Sequence, residues 1–364
     1  MPGDAPACTW ETGSILVYGK LEASVSLYFD GLPADLRARL RFRRPVDLEQ
    51  DLPWLMAASL VIVVREFAHM ISRGTLVALQ AAGVPVVWFT DDDLIALGRE
   101  EAAFADCTER RVRRFLRHCE AVIVTSEPLT AVMAQWHRRV VLWPCVYNAS
   151  LDGIARTARS DAMCVGAFGG GFRREAFRTQ VLPALAQWSR AEPVQVFAAA
   201  GLAGEGDVGV VTVAFEPSFL RFVQVWRDLR LRALVHPYGQ TRNIANKSMA
   251  SVLVASYLGA VPVLGDEPAY AGLSEAEGVL IAAPHPASWR LALERLADAD
   301  EAAGLYARLR SWCRRSFHSD QARPAFARIA ELAAPGGAAA EAARWRCLHR
   351  GRQRSGIRGW TGRR

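Results

Sequence analysis

Short apolar runs alternate with amphipathic stretches along almost the whole chain. In the first half the apolar runs predict strands at Ser14–Tyr18, Leu60–Val64, Val84–Phe89, Ala121–Thr125 and Val140–Leu142. Helical periodicity predicts helices near Leu36 and over Gly74–Ala82, Glu109–His118 and Leu129–His137. Strands that are apolar on both faces and alternate with helices are typical of a parallel sheet covered on both sides. This half therefore predicts one Rossmann-like unit.

The same alternation begins again after a polar break at Tyr147–Ala162, within which we place a linker over 149–162. The second set of strands is predicted at Met163–Phe168, Val194–Ala199, Val210–Phe215, Ala233–Val235, Val261–Leu264 and Val279–Ala282. Helices are predicted over Phe219–Arg227 and Met249–Leu258, with closing helices near Trp289–Ala297, Ala302–Phe317 and Arg323–Ala333. The sequence thus predicts an α/β protein with two Rossmann-like domains facing a cleft, over 1–148 and 163–334, followed by a basic tail over 335–364.

Composition agrees with a two-domain globular protein. The 364 residues exceed what one core usually supports, and 51% apolar with 22% charged residues is a globular balance. The longest apolar stretches, Leu52–Val64 and Val252–Gly265, are shorter than the roughly 20 residues that span a bilayer. The opening residues lack the pattern of a secretory signal, so we expect a cytoplasmic protein. Seven scattered cysteines without a C-x-x-C pair predict free buried thiols rather than a disulfide framework or a zinc site.

The net charge of +7 is concentrated near the C-terminus, where arginines crowd the last twenty-odd residues. A solvated tail and a tail that touches nucleic acid or anionic lipid are both consistent with this pattern, and we expect no specific nucleic-acid partner because these basic residues lie outside the predicted folded domains. A second basic cluster, Arg110–Arg117, falls on a predicted helix. Its alternatives are an ordinary solvated face or peripheral contact with the inner face of a membrane.

Ligands of open α/β sheets collect at the carboxyl ends of the strands, so the residues that follow each strand are the candidates for chemistry. The glycine-rich stretch Gly166–Arg174 follows a predicted strand, and its Gly169 and Gly170 would let the backbone approach a phosphate while Arg173 adds charge. The alternative is an ordinary strand-to-helix turn, because neither common phosphate-loop motif is complete.

The most polar post-strand loop is His236–Ser248. Arg242 and Lys247 could neutralise a diphosphate without a metal ion, and Ser248 with the following helix start could bind its oxygens. The alternative is a capped helix with solvated basic residues.

Two further turns follow strands. Thr90–Asp93 carries three carboxylates that could act as a base, bind a sugar or bind a cation, whereas the simpler alternative is a helix N-cap. The turn after Val261–Leu264 supplies Glu267 and Tyr270 as candidate ligand contacts, although surface-turn chemistry alone could explain it.

Together these segments resemble the group-1 glycosyltransferases of GT-B fold, particularly bacterial members that build surface polysaccharides. In the first half the resemblance is carried by VPVVWFTDDDL at Val84–Leu94, by AVIVTS at Ala121–Ser126 and by Trp143-Pro144. In the second half it is carried by VGAFG at Val165–Gly169 and by Asn246-Lys247-Ser248 followed by YLGAVPV at Tyr257–Val263.

The resemblance implies transfer of a sugar from a nucleotide-sugar donor to an acceptor hydroxyl, usually without a metal. It implies donor contacts in the C-terminal domain, with Lys247 facing the diphosphate, and a glycan or lipid-linked acceptor on the N-terminal domain. Val254 stands where the family often has a glutamate that holds the ribose. A catalytically inactive module that binds a glycan or a nucleotide is therefore the leading alternative, and a sugar-nucleotide epimerase is a weaker one.

These considerations select two groups of candidate residues, with the nucleotide-sugar as substrate and no cofactor or metal ligand. The candidate catalytic residues are Asp92, His236, Arg242 and Lys247. The candidate donor-binding residues are Gly169, Gly170, Arg173, Asn246, Lys247, Ser248, Glu267 and Tyr270.

Overall fold

The structure is a computed structural model that describes residues 14–20, 25–65, 71–153, 163–189, 193–204, 207, 209–239 and 241–333. Residues 154–162 of the expected linker and the whole of the expected tail at 335–364 lie outside these ranges. The described residues form two six-stranded sheets, one from each half of the chain.

In the first sheet every neighbouring pair of strands is parallel, in the order β2-β1-β3-β4-β5-β6. Its strands are β1 Ile15–Tyr18, β2 Leu40–Arg43, β3 Leu60–Val64, β4 Val86–Thr90, β5 Ala121–Val124 and β6 Val140–Leu142. The α-helices of this half are Ala34–Arg37, Leu48–Ala57, Arg73–Ala81, Leu94–Glu100, Glu109–Leu116 and Glu127–Ala134.

The second sheet is also parallel throughout, in the order β12-β11-β10-β7-β8-β9. Its strands are β7 Met163–Ala167, β8 Val194–Ala199, β9 Val210–Val213, β10 Ala233–His236, β11 Val261–Gly265 and β12 Leu280–Ala282. The α-helices of this half are Arg174–Ala176, Leu182–Trp188, Phe219–Asp228, Ala250–Leu258, Pro286–Arg295, Ala299–Ser316 and Arg323–Ala330. The predicted α/β class with two Rossmann-like domains is confirmed.

One strand departs from the predictions. The edge strand β2 pairs with β1 in parallel, but its sequence Leu40-Arg41-Phe42-Arg43 has a single buried residue and no apolar run. Backbone pairing along one side, rather than burial, defines this strand, so hydrophobic patterning could not reveal it.

Alternate residues of each central strand serve opposite faces of the sheet. In β1, Ile15 and Val17 belong to a core that continues into the second half of the chain, while Leu16 and Tyr18 belong to a core on the other face. The second sheet likewise shares the first of these cores and has its own core on the far face. The two domains are therefore joined by apolar packing as well as by chain connection.

The last helix, Arg323–Ala330, crosses back to the N-terminal sheet. The ring of Phe326 is 2% exposed and lies 6.0 Å from the ring of Trp143, which follows β6. At the start of the helix the Arg323 guanidinium pairs with Asp35 at 2.7 Å. The C-terminal end of the described chain thus packs against the first domain.

Within the described part of the chain, no helix combines the length and the apolar character that crossing a bilayer requires.

Truncation of Phe326 tests this packing. We expect Phe326→Ala to lower the free energy of unfolding by about 3–5 kcal/mol, because a buried aromatic ring leaves a cavity. The matched control is Phe215→Ala, whose ring is 72% exposed and whose loss should change stability by less than about 0.5 kcal/mol. Urea denaturation of both variants measures the difference, and equal effects would refute the assigned packing.

Candidate functional site

A cavity of about 550 Å³ opens between the two domains, at the carboxyl ends of strands from both sheets. We call its two sides the N-terminal wall and the C-terminal wall. The N-terminal wall consists of Leu27, Tyr28, Arg65, Asp91, Asp92, Leu97, Glu101, Ala103 and Phe104. The C-terminal wall includes Phe168–Arg173, Phe215, Glu216, Phe222, Trp226, His236, Lys247, Ser248, Ser251, Val254 and Tyr270.

Asp92 sits at the centre of the polar contacts across the cleft. Its buried carboxylate accepts hydrogen bonds from Arg65 Nη2 at 2.8 Å and from Asn243 Nδ2 at 2.7 Å, and it pairs closely with Lys247 Nζ. Burial by itself would raise the pKa of Asp92, but the charges of Lys247 and Arg65 outweigh it and hold the pKa well below its usual range. Asp92 is therefore ionised at neutral pH.

Arg65 comes directly after β3 and adopts a left-handed backbone with φ of 55°. Its guanidinium contacts Asp92 and lies 3.2 Å from Asp91, while its carbonyl accepts from Trp88 Nε1 at 2.9 Å. A non-glycine residue in this conformation is strained, and such strain concentrates at functional sites. Arg65 was not among the predicted site residues, although it directly follows a strand, where ligands of such sheets collect.

The segment Arg242–Ser248 docks on the turn that follows β4. Asn243 is completely buried, and its Oδ1 accepts the backbone N–H of Asp93 at 2.7 Å while its Nδ2 donates to Asp92. Asp93 also caps the helix Leu94–Glu100 by accepting from Ala96 N at 3.0 Å. The aspartates of this turn thus combine the N-cap role with contacts across the cleft. Asn243 was not among the predicted site residues.

Lys247 and Ser248 line the cavity just before the helix Ala250–Leu258. The Lys247 side chain is 24% exposed, and its ammonium group lies 5.6 Å from the centre of the Phe172 ring. The Ser248 hydroxyl is 2.6 Å from the Tyr28 hydroxyl of the opposite wall. Both predicted donor contacts are therefore in the cavity, and both touch the N-terminal domain.

Arg173 and Glu267 form a buried ion pair, each only 1% exposed. The Arg173 Nη2 donates to Glu267 Oε2 at 3.0 Å, and its Nη1 donates to Glu267 Oε1 and to the carbonyl of Pro237. Glu267 also accepts the N–H of Gly239 at 2.8 Å. Arg173 lines the cavity, whereas Glu267 does not line it and contacts Arg173 on the side away from the cavity.

The glycine-rich stretch makes room for this arginine. Gly169 has a φ of 151°, and a Cβ atom there would lie 2.5 Å from Cδ of Arg173. Gly169 and Gly170 both line the cavity. The backbone conformation at Gly169 therefore depends on the absence of a side chain.

His236 is buried at the end of β10 and belongs to a short hydrogen-bonded chain. Its Nδ1 lies 2.7 Å from the carbonyl of Phe168, which requires a proton on Nδ1, so Nε2 accepts from the Ser251 hydroxyl at 3.1 Å. Burial and the nearby charge of Arg173 hold the pKa of His236 well below its ordinary value. The imidazole is therefore neutral, and burial also raises the pKa of the neighbouring Tyr270 to about 12.

Besides Glu267, two other predicted residues do not line the cavity. The side chain of Arg242 is 82% exposed and faces Glu100, with Nε 3.7 Å from the carboxylate. Asn246 is buried in the domain seam, where its carbonyl accepts from Ser126 Oγ at 2.6 Å and its amide lies 3.4 Å from Asp93. Both residues connect the domains rather than face the cavity.

Apolar side chains make up much of the C-terminal wall. Val254 is 1% exposed and lines the cavity near the aromatic rings of Phe168, Phe222 and Trp226, which lie 5.3 to 6.4 Å apart. Each described cation of the cavity also contacts a carboxylate. The cavity therefore combines paired charges with a large apolar surface.

The chain matches no protein-family model and no curated protein. Among solved structures it is similar to sucrose-phosphate synthase from Thermosynechococcus elongatus, with a TM-score of 0.54, 14% identity, and coverage of 88% of this chain and 98% of that one. It is also similar to a glycosyltransferase from Rickettsia africae, with a TM-score of 0.52, 6% identity and the same coverage of both chains. The E. coli trehalose-6-phosphate synthase bound with UDP-2-fluoro glucose gives a TM-score of 0.50 and 10% identity over 79% of this chain and 76% of that one.

At these identities the likeness concerns the fold. With its two parallel six-stranded sheets and flanking helices, the chain has the GT-B architecture. That part of the resemblance drawn from the sequence is confirmed, whereas the group-1 type and the roles of individual residues stay predictions.

The buried ion pair of Arg173 and Glu267 leads to a prediction about the stability of the fold. Glu267→Gln should lower the free energy of unfolding by about 3–5 kcal/mol, because it leaves the arginine charge uncompensated. The control Glu294→Gln removes the same charge from a half-exposed surface pair with Arg290 and should cost at most about 1 kcal/mol. The double variant Arg173→Met, Glu267→Leu should recover most of the loss, and chemical denaturation reports all three.

The lowered pKa of Asp92 leads us to expect that the stability of the protein depends on pH. Its pKa is lowered in the folded state, so it contributes stability above the unfolded pKa of about 4, and that stability is lost as the pH falls towards the folded pKa. The unfolding free energy of Asp92→Asn should therefore fall less steeply below pH 4 than that of the wild type. Denaturation between pH 2.5 and 7, with the exposed Asp228→Asn as control, checks this; equal slopes in all three proteins would contradict it.

Proposed function

We propose that this protein is a glycosyltransferase that transfers a sugar from a nucleotide-sugar donor to an acceptor hydroxyl without a metal ion. The observation that carries the proposal is the position of Lys247. Within the GT-B architecture it reaches a cavity at the carboxyl ends of both sheets and meets Asp92 from the other domain. A cation at the start of a helix, facing a carboxylate across a cleft, suits a diphosphate on one wall and an acceptor on the other.

The donor would bind to the C-terminal wall. Lys247 supplies a positive charge, Ser248 a hydroxyl, and the nine-residue helix Ala250–Leu258 has free N–H groups at its start. In the structure Asp92 pairs with the Lys247 ammonium group, so a donor phosphate would share that ammonium group or replace Asp92 beside it. Both arrangements keep Lys247 paired with an anion.

In the transfer, the bond between the anomeric carbon and the donor phosphate oxygen breaks, the acceptor oxygen bonds to the anomeric carbon, and the acceptor proton is released. Negative charge grows on the leaving diphosphate during this step. Lys247 would stabilise that charge inside a cavity where apolar walls limit solvent, which strengthens the interaction. Asp92 stays our candidate for contact with the acceptor or the transferred sugar.

His236 stays a candidate, with a restricted role. Its Nε2 already accepts from Ser251, so a neutral His236 would act on a ligand through the Ser251 hydroxyl rather than directly. The exposed Arg242 would reach a ligand only after a change in the domain seam.

We extend the proposal to a role in surface-glycan synthesis, with a glycan or lipid-linked acceptor and a cytoplasmic location, on the strength of the sequence resemblance to group-1 enzymes. Contact with the inner face of a membrane would use the helix Glu109–Leu116. Its arginines are exposed, but Arg111 and Arg113 already form ion pairs with Asp106 and Glu109, which favours a solvated face.

The second candidate is a catalytically inactive module that binds a nucleotide or a glycan. Val254 favours it, because this apolar side chain lines the cavity where the resembled family often places a ribose-binding glutamate. Measured turnover separates the two candidates, since both bind ligand in the same cavity.

The chain offers a direct test of the donor site because it contains only two lysines, Lys20 and Lys247. Acetylation with an amine-selective reagent, read by peptide mass spectrometry, follows both at once, and the exposed Lys20 serves as an internal reference. A bound nucleotide-sugar should slow acetylation of Lys247 at least about tenfold and leave Lys20 unchanged, because it would cover the 24% of the Lys247 side chain that is exposed in the cavity.

Thermal-shift screening against UDP, GDP, ADP, dTDP and their sugars selects the ligand for that experiment. The stabilisation it detects should disappear in Lys247→Ala and persist in Lys20→Ala. A folded protein in which no nucleotide shifts the melting temperature or protects Lys247 would refute the donor site. Nucleotide binding without transfer to any acceptor would favour the inactive module.

A further inference from the structure

We infer that the acceptor carries no phosphate or other anionic group near its reacting hydroxyl and has an apolar portion beside it. The inference rests on the proposed function and names the acceptor class for the N-terminal wall. It follows from the charges of that wall and from the side chains that separate them.

The N-terminal wall has a surplus of negative charge. Asp91, Asp92 and Glu101 line it, and among the described residues of that wall Arg65 is the sole cation. Arg65 is already engaged, at 2.8 Å from Asp92 and 3.2 Å from Asp91. The stretches 1–13, 21–24 and 66–70, which lie outside the description, contain no lysine or arginine in their sequence. The described residues that line the N-terminal wall therefore offer a phosphorylated acceptor no cation other than the engaged Arg65.

The C-terminal wall does not make up the difference. Its Arg173 is neutralised by Glu267, and its Lys247 is the group that would face the donor diphosphate. An acceptor phosphate, with about two negative charges at neutral pH, would lie beside Asp91 and Glu101 in a partly dehydrated cavity. Like charges in that setting are repelled strongly, so a sugar phosphate should bind at least about tenfold more weakly than its uncharged counterpart.

The same wall offers an apolar surface next to its carboxylates. The helix Leu94–Glu100, capped by Asp93, contributes Leu97 to the cavity lining, and Glu101 follows the helix directly and lines the cavity as well. The short 3-10 turn Ala102–Phe104 then adds Ala103 and Phe104 to the cavity lining. Carboxylates accept hydrogen bonds from hydroxyl groups, and an aromatic ring beside them suits a sugar with an apolar aglycone.

Matched ligands test this inference. For glucose, galactose and mannose in turn, isothermal titration compares the methyl glycoside, the phenyl glycoside and the free sugar 6-phosphate, in nucleotide-free protein and with the nucleotide chosen by thermal shift. We expect the phenyl glycoside of the accepted sugar to bind best and its 6-phosphate at least tenfold more weakly than the methyl glycoside. Raising the salt concentration from 50 to 500 mM should reduce the difference in affinity between the 6-phosphate and the methyl glycoside, because salt screens the repulsion between the phosphate and the carboxylates.

Variants assign the effect to the wall. Asp91→Asn combined with Glu101→Gln should reduce the discrimination against the 6-phosphate by about tenfold, whereas Glu120→Gln, an exposed glutamate outside the cavity, should not change it. Phe104→Ala should remove the preference for phenyl over methyl glycoside. Melting temperatures confirm that each variant is folded.

Several outcomes would overturn the inference. A 6-phosphate that binds as tightly as the methyl glycoside, or wild-type discrimination in the double variant, would show that the wall charges do not select the acceptor. Absence of binding by every sugar and glycoside, with and without nucleotide, would show that this is not an acceptor wall. Failure of the proposed donor site is recognised separately, by the lack of Lys247 protection, because the ranking of the sugars is also measured in nucleotide-free protein.

Discussion

The contact between the Asp92 carboxylate and its three donors is the interaction on which the arrangement of the cleft depends. A buried carboxylate is stable only where hydrogen bonds and opposite charges replace the water it has lost. Here Arg65 comes from its own domain, while Asn243 and Lys247 come from the other one. The two domains must therefore meet in a narrow range of orientations for Asp92 to be compensated.

The contacts that surround this carboxylate are also polar and geometrically specific. Ser126 donates to the carbonyl of Asn246, the Tyr28 and Ser248 hydroxyls meet, and the N–H of Arg242 donates to Glu100 at 2.9 Å. Away from the cavity the domains are joined by apolar packing, as between Phe326 and Trp143. Directional hydrogen bonds thus set the orientation of the two domains at the cleft, whereas the packing around Phe326 buries apolar surface between them.

The sequence predicted the fold in most respects because buried parallel strands are marked by apolar runs. The exception is β2, which lies at a sheet edge. Two of its four residues are arginines and only Leu40 is buried, so its sequence shows no apolar run. Post-strand reasoning also led to Asp92, Lys247, Ser248 and the glycines of the cavity. Residues that directly follow the strands lie close together, because the carboxyl ends of the strands of a parallel sheet share one edge.

The pairing of those side chains could not be predicted in the same way. Arg173 and Glu267 were both expected to bind a donor, but they are 94 residues apart in the chain and neutralise each other. Arg65 and Asn243 act through contacts with partners that are remote in sequence, and the left-handed backbone of Arg65 is not encoded by any local motif. Their roles arise from tertiary geometry that periodicity does not contain.

The segment Arg242–Ser248 both docks the second domain on the first and supplies a cavity cation. A ligand that binds Lys247 would therefore also change the equilibrium between closed and open domains, because both involve the same hydrogen bonds. An anion that competes with Asp92 for Lys247 would loosen the seam by the amount of free energy it takes from that pair, and a ligand that bridges both walls would tighten it. For the proposed glycosyl transfer, the order in which donor and acceptor enter and leave would then depend on this one seven-residue stretch of chain.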